Sequence, residues 1–377
     1  MSKDDYAKGI IKSVDVDKVL KLLDGKGTGT DKIFYERFIK PKKAIQWGAL
    51  GDPFCNFERN RGTALPILKK MNELQLPVSF STKGTWFVND ERYMSIFREH
   101  PENWHFKFSI ITSNAEKAKI VERAVDSPQE RFKAMKKLSD MGIATTLRLR
   151  PFFIGLSDLD LEETIRNAKE AGAISVSTEF FCLDIRASFT LKERYKELSR
   201  VLGYDIWKFY KKHSRAKGYL RLNRTLKRPY MEKLQELCKK YELKLYVSDP
   251  DFKEVSCHGS CCGIPQRPPF NNYCKSQLCE LLCFMRDNKK ETISWSEYYE
   301  LFKEDFKWQE EVPSACPHNF GDTQNARKHK NESCLEYARN AWNNPKSEKS
   351  PFKYFNGLLE PQGLDKNKDI IYRLKKQ

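Results

Sequence analysis

Six cysteines fall within 27 residues, Cys257 to Cys283, in the run CHGSCCGIPQRPPFNNYCKSQLCELLC. Single free cysteines are ordinary core residues, but Cys257, Cys261, Cys262 and Cys274 have the density of a metal-ligand set. Four thiolates suit zinc, and soft sulfur equally suits iron–sulfur chemistry. Cys279 and Cys283 stand four apart in an apolar helical run, QLCELLCFM, and read as core packing. Cys316, His318, His329 and Cys334 lie scattered in the tail with no spacing that defines a ligand set. A second group of capable residues stands where apolar runs end. It comprises Gly48, Gly51 and Asp52 after AIQW, Lys83 after PVSFST, Ser109 and Thr112 in FKFSIIT, Arg148 and Arg150 closing IATTLRLR, and Glu179. A strand that stops at glycines, an acid or a cation is how an α/β fold offers backbone and charge to a ligand.

The elements that would position these residues follow from periodicity. Val14 to Leu23 has helical apolar spacing and an acid at its start. Strands are expected at Ala44–Gly48, Pro77–Thr82, Phe106–Thr112, Ile143–Leu149, Ile174–Phe181 and Lys244–Val247. Between them, Ser127-Pro128-Gln129-Glu130 opens a helix to Met141, with a small hydroxyl cap, proline at the first position and acid in the first turn. Strands alternating with helices at this spacing mean parallel strands joined by crossovers, an α/β fold. Six units make an open or partial barrel, and its ligands belong at the carboxyl ends of the strands.

Composition narrows the partners. The chain has 377 residues with 68 basic against 51 acidic, a net charge of +17, and the basic residues read as spread throughout. That balance fits a nucleic-acid partner, and it equally fits a lysine-rich surface. No apolar run approaches the ~20 residues of a membrane span. The acidic start MSKDD is no signal peptide, so a cytoplasmic location is expected. Eleven cysteines then argue for metal or redox chemistry over structural disulfides.

One stretch is more specific. ERAVDSPQERFKAMKKLSDMGIATTLRLRPFFIGLSD, Glu122 to Asp158, resembles a pattern of the radical S-adenosylmethionine (radical SAM) superfamily, in the branch that includes spore photoproduct lyase. GALGDPF, Ser81-Thr82-Lys83 and Phe108-Ser109-Ile110 fall in the same order as in that branch, and the resemblance covers about residues 43–250. It implies S-adenosylmethionine and a [4Fe–4S] cluster as cofactors. Gly51 and Asp52 would meet the methionine end of the cosubstrate, Lys83 its carboxylate and Ser109 its ribose, with Gly48 and Arg150 in the same set. A zwitterionic amino acid asks for that combination of acid, base and exposed backbone.

The departure from the family is as informative. Its cluster is held by Cys-x-x-x-Cys-x-x-Cys after the first barrel strand, and here no cysteine precedes Cys55. In the later block, Ile264 and Arg286 occupy the positions where a third cysteine would complete the spacing. The resemblance therefore implies a partial (β/α)6-type barrel missing its first strand. Residues 1–40 would hold a helix following the absent loop, 41–255 the barrel, 256–286 a Cys-rich metal-binding block, and 287–377 a mainly helical extension. The block would carry an auxiliary iron–sulfur cluster or zinc. The aromatic run from Trp295 to Trp308 would pack on the barrel, and Cys55 would be a small buried residue at a helix start or a hydrogen-atom donor. Function divides two ways. The chain is a radical SAM enzyme, or the larger portion of one, whose cluster module comes from another polypeptide or from missing sequence (a split or truncated gene), or it is a non-catalytic barrel descendant that binds nucleic acid or metal.

Overall fold

The computed structural model describes residues 14–48, 51–185, 189–214, 219–260, 263–273, 277–311 and 332–375. Six strands form one parallel sheet: β1 (Ile45–Trp47), β2 (Val78–Thr82), β3 (Trp104–Ser109), β4 (Ala144–Phe152), β5 (Ser175–Phe180) and, at the far edge, β8 (Lys244–Val247). Strand order follows chain order, as crossovers of one hand require. Between β5 and β8 the chain inserts a short antiparallel pair, β6 (Cys182–Asp184) and β7 (Tyr219–Arg221). Helices α1 (Val16–Leu23), α2 (Ala64–Glu73), α3 (Glu91–Glu99), α4 (Pro128–Ser139), α5 (Leu161–Glu170), α6 (Phe189–Leu202), α7 (Ile206–His213) and α8 (Arg224–Lys240) surround it. Caps act as their sequences foretell. Asp15 accepts from Lys18 N at 3.0 Å, and Ser127 accepts from Glu130 N at 3.2 Å ahead of Pro128.

Two strand boundaries differ from expectation. β3 ends at Ser109 because the following residues turn: Thr112 Oγ1 and the amides of Ser113 and Asn114 all donate to Asp160 Oδ2, at 2.6, 2.7 and 3.0 Å. β4 continues past Arg150-Pro151, since the register shifts between Leu149 and Phe152 and pairing resumes at Phe152 opposite Phe180. The proline sits in that irregularity, where its missing N–H breaks no regular ladder.

The two faces of the sheet are chemically opposite. Phe80, Phe106, Phe108, Leu147, Leu149, Val176, Leu245 and Val247 belong to one continuous apolar core with the flanking helices. The alternate positions are buried yet polar: Ser79 and Ser81, His105, Lys107 and Ser109, Thr146, Ser175 and Ser177. These polar side chains satisfy one another across strands, as burial demands. Ser79 Oγ lies 2.8 Å from His105 Nδ1, His105 Nε2 lies 2.7 Å from Thr146 Oγ1, and Thr146 Oγ1 lies 2.7 Å from Ser175 Oγ. One pleat closer to the carboxyl edge, Lys107 Nζ donates to Gln46 Oε1, and Gln46 Nε2 donates to Ser81 Oγ at 3.2 Å.

The two edges of the open sheet are joined by the Cys-rich segment. Cys257 N donates to Leu245 O on β8 at 2.8 Å, and Val247 N donates to Ser256 Oγ at 3.0 Å. At the other end Ala44 N, just before β1, donates to Asn272 O at 2.6 Å, and Ala44 packs on Ile264, Phe270 and Tyr273. Between these anchors the strap passes the polar face: Phe270 sits edge-on to His105 at 5.8 Å. At Gly263 (φ +66°) a Cβ would crowd Ser177.

The C-terminal residues build a core of their own, which corrects the expected packing of the aromatic helix on the barrel. Helix α10 (Trp295–Glu311) contributes Trp295, Tyr298, Phe302 and Phe306 to a cluster with Trp342, Phe355, Leu359 and Tyr372. That cluster includes Ile293 of a three-stranded antiparallel sheet, β9 (Thr292–Ile293), β10 (Leu359–Leu364) and β11 (Ile370–Leu374), which the sequence pattern had not indicated. Cys279 and Cys283 on α9 (Gln277–Asp287) are buried, in line with core packing. Among the described residues no helix is long and apolar enough to cross a membrane.

Candidate functional site

The strand-end residues meet in one belt of hydrogen bonds and ion pairs along the carboxyl edge. It starts at Asp52, after β1. Asp52 Oδ1 accepts from Phe54 N at 2.9 Å and from Thr82 Oγ1 at 2.7 Å, while Oδ2 accepts from Lys83 N at 2.7 Å. The Lys83 ammonium faces Glu122 at 3.8 Å, and Glu122 pairs with the buried Arg131 at 2.6 Å. Arg131 Nη1 donates to Ser109 O at 2.6 Å. Arg148 Nη1 donates to Ser109 Oγ at 3.1 Å and to Arg150 O at 3.5 Å. Arg150 pairs with Glu179 and donates to Ser248 Oγ at 3.1 Å. Asp52, Lys83, Ser109, Arg148, Arg150 and Glu179 thus stand in a single network that runs from the loop after β1, through the ends of β2, β3, β4 and β5, to Ser248 just after β8.

Several of these residues hold the scaffold as well as facing the edge. Both oxygens of Asp52 are engaged by the β1 loop and the end of β2, so it braces two loops against each other. Gly48 has φ +102°, and a Cβ there would run into the Ser81 carbonyl, so only glycine lets β1 end against β2. Gly51 is exposed with open space around it, and its backbone is accessible. The carboxylates of the Glu122–Asp158 stretch and its flank have the same bracing role. Asp126 accepts from Thr85 N at 2.7 Å, Asp158 from Gly155 N at 2.6 Å, and Asp160 from three donors after β3.

Residues that sequence reasoning missed are Glu122 and Arg131 as a buried pair, and the polar inner face of the sheet. The signal for the latter was present as alternation: S79/S81, H105/K107/S109, T146/R148/R150 and S175/S177/E179 each repeat every second residue. Strands buried on both faces normally read as continuous apolar runs. A polar residue at every second position therefore marks a lined interior.

The cysteines are placed as follows. Cys55 is exposed at the start of a short helix (Asn56–Arg61), which corrects the expectation of a buried residue. Cys257 is exposed and free, and it is its main-chain N–H, not its thiol, that anchors the strap. Cys261, Cys262 and Cys274 lie outside the described residues, as do Cys316, His318 and His329. Cys334 is disulfide-bonded, an exception to the expected free or metal-bound thiols. Among the described residues no three His, Cys, Asp or Glu side chains are grouped to hold a metal. Cys182, beside Arg221 and Glu179, is pushed up to about 11, chiefly by burial, and is a protonated thiol at neutral pH.

Comparison with known proteins gives a limited likeness. No protein-family model matches the sequence. No curated protein matches it. Among solved structures it is similar to spore photoproduct lyase complexed with dinucleoside spore photoproduct, at 14% identity and a TM-score of 0.46, over 62% of this chain and 66% of that one. A mutant of that lyase with bound AdoMet and dinucleoside spore photoproduct gives 14% identity and a TM-score of 0.45 over the same shares. The chain therefore spans a little under two thirds of the lyase chains it matches.

Proposed function

We propose that this chain is the barrel portion of a radical SAM-type enzyme: it holds S-adenosylmethionine at the carboxyl edge of the sheet, and the cysteine loop for the [4Fe–4S] cluster is supplied from elsewhere, as from a split or truncated gene. One observation carries the reading. Asp52, Lys83, Ser109 and Arg150, four of the six residues that the sequence resemblance nominates, fall into one continuous belt over a polar-lined face. Lys83, about one-third exposed and only loosely paired with Glu122, is the cation suited to the methionine carboxylate. Ser109, with Arg148 on its hydroxyl oxygen, can still donate its proton to a ribose oxygen. Gly48 and Gly51 shape the loop, Asp52 fixes it by holding Lys83 N, and Arg150 with Glu179 extends the same edge.

The residues present do not fit the catalytic cluster. Three thiolates at one loop are required, and the β1 loop offers Cys55 alone, with no cysteine before it in the sequence. No step is therefore assigned through that group. The Cys257, Cys261, Cys262 and Cys274 set belongs to the same proposal, as an auxiliary iron–sulfur or zinc site on the strap.

Calorimetry with S-adenosylmethionine tests the binding half: the chain should bind it, and Lys83→Ala should weaken binding at least tenfold. Absence of binding would overturn the reading. The chain alone should give no 5′-deoxyadenosine with dithionite and should give it once a Cys-x-x-x-Cys-x-x-Cys loop is supplied in trans. Cleavage by the unaided chain would overturn the assignment of the cluster to a loop supplied from elsewhere. Binding without cleavage after the loop is supplied would favour a non-catalytic descendant.

A further inference from the structure

Glu122 stands at an unfavourable place for an acid. It follows the short helix Ala115–Val121, where the free carbonyls of the helix end repel negative charge. Its side chain is nevertheless buried, and its two oxygens face different cations. Oε2 meets Arg131 Nη1 at 2.6 Å, a hydrogen-bonded pair closed off from solvent. Oε1 lies 3.8 Å from Lys83 Nζ, near enough to attract it and too far to accept a hydrogen bond from it. One carboxylate between two cations leaves one positive charge over, and Lys83, about one-third exposed, is the cation that can present it.

The neighbours of Glu122 account for the gap. Val121 O accepts from Arg194 Nη2 at 3.2 Å, and Arg123 pairs with Glu197 at 2.5 Å, so α6 holds the residue on each side of it. An exposed pair such as Arg123–Glu197 contributes little alone, but together with Arg194 it brackets Glu122. Beyond it Ala124 turns with φ +56°, a conformation that a residue with a Cβ keeps only where its surroundings impose it. Asp126 then accepts from Thr85 N and Oγ1 at 2.7 and 2.8 Å. Residues 121–126 are thereby tied to α6, to α4 through Arg131, and to the loop after β2 through Thr85. A backbone fixed on three sides cannot advance the about 1 Å that would bring Oε1 into hydrogen-bond contact with Lys83. From the other side, Asp52 Oδ2 fixes the Lys83 main-chain nitrogen at 2.7 Å. The helix that keeps the gap open, α6, comes from the insertion between β5 and β8 and not from the strand-end residues themselves.

We propose that Glu122 is the positioning residue that sets the free charge of Lys83, and that Arg194 and Glu197 of α6 hold it off the lysine so that Lys83 accepts one ligand carboxylate. The inference rests on the cosubstrate reading above. With a carboxylate bound, two anions meet two cations, and a ligand without one leaves a positive charge uncompensated beside a buried pair. Calorimetry with two probes tests this: S-adenosylmethionine, and its decarboxylated form, which keeps the sulfonium and the amine. The full chain should prefer the first at least tenfold. Glu122→Gln keeps an acceptor for Arg131 and removes the charge, so Lys83 is no longer shared and the preference should rise at least threefold. Arg194→Ala combined with Glu197→Ala opens the clasp, lets Glu122 close on Lys83, and should lower the preference at least threefold. A merely structural role would weaken both probes in parallel and leave their ratio unmoved. An unchanged or lowered ratio in Glu122→Gln, with S-adenosylmethionine still bound by the wild type, would overturn the inference and leave cosubstrate binding standing. A ratio that rises in Glu122→Gln but does not move in the clasp variant would overturn the role given to α6. Failure of the wild-type chain to bind either probe would overturn the cosubstrate reading and this inference with it.

Discussion

Arg131 donates through Nη1 to the main-chain carbonyl of Ser109 at 2.6 Å, so a helix side chain holds the end of β3 in place from beneath. The same nitrogen lies 2.6 Å from Glu122 Oε2, and both side chains are almost wholly buried. Removing the guanidinium strands a buried carboxylate and unpairs a strand-end carbonyl. Arg131→Met should therefore cost about 3–5 kcal/mol in urea denaturation. Adding Glu122→Leu to it should recover part of the loss, since an apolar pair leaves no charge stranded. A loss below about 1 kcal/mol for Arg131→Met would show that water already reaches the pair.

Gly48 and Gly51 lie three residues apart and should respond oppositely to alanine. At Gly48 the backbone has φ +102° and a Cβ would meet the Ser81 carbonyl, so Gly48→Ala should cost about 2 kcal/mol or more and loosen the β1–β2 pairing. At Gly51 a Cβ meets nothing, and Gly51→Ala should leave the melting temperature unchanged. Thermal unfolding of the two variants separates backbone constraint from ligand access. If Gly51→Ala nonetheless weakens S-adenosylmethionine binding, open backbone at that position matters to the ligand.

Much of this architecture was legible because local and global signals agree. Ser127-Pro128 and Asp15 are caps whose chemistry is local, and the six parallel strands follow from runs bounded by glycines and charges. The limits lie where long-range partners decide. β4 continues through Arg150-Pro151 because Phe180 waits on the neighbouring strand. Trp295 and Tyr298 have helical spacing that declares a buried face but not its partner, which proved to be Trp342 and Tyr372 and not the barrel. The strand-end residues were legible as a set. That Asp52 spends its oxygens on Phe54, Thr82 and Lys83 was not, because those donors come from two separate loops.

His105 links Ser79 to Thr146 at the centre of the polar face and makes stability depend on pH. Burial holds its pKa well below the ordinary value, and the charges of Lys107 and Arg267 add to this. The unfolded chain takes up its proton near the ordinary histidine value of 6.5 while the folded chain resists. The unfolded state therefore binds more protons below that pH, and stability falls as pH drops through and beneath it. Chemical denaturation between pH 8 and pH 5 should show this loss, and His105→Gln should flatten it. An unchanged slope in the variant would assign the acid sensitivity to other groups.

Lys227 is the other buried cation whose removal has a definite signature. Its ammonium lies 2.6 Å from Asp249 and 2.5 Å from Asp251, and Asp251 also accepts from Asn356 of the C-terminal region. Burial alone would lower the amine's pKa, but the two carboxylates outweigh it and the value is raised. A raised lysine pKa contributes stability that is complete below the unfolded value of 10.5 and is lost only as pH rises through the folded value, so neutral pH lies well inside the stable range. Lys227→Met leaves two carboxylates buried side by side, and about 3–5 kcal/mol should be lost at pH 7. Like charges in one site favour taking up a proton, so the variant's deficit should shrink as pH is lowered towards 4. Urea denaturation of wild type and variant at pH 7 and pH 4.5 measures both effects. A deficit that stays constant or grows at the lower pH would mean that the lost lysine acted through packing on Phe180 and Phe252, whose rings lie 5.5 Å from its ammonium, and not through its charge.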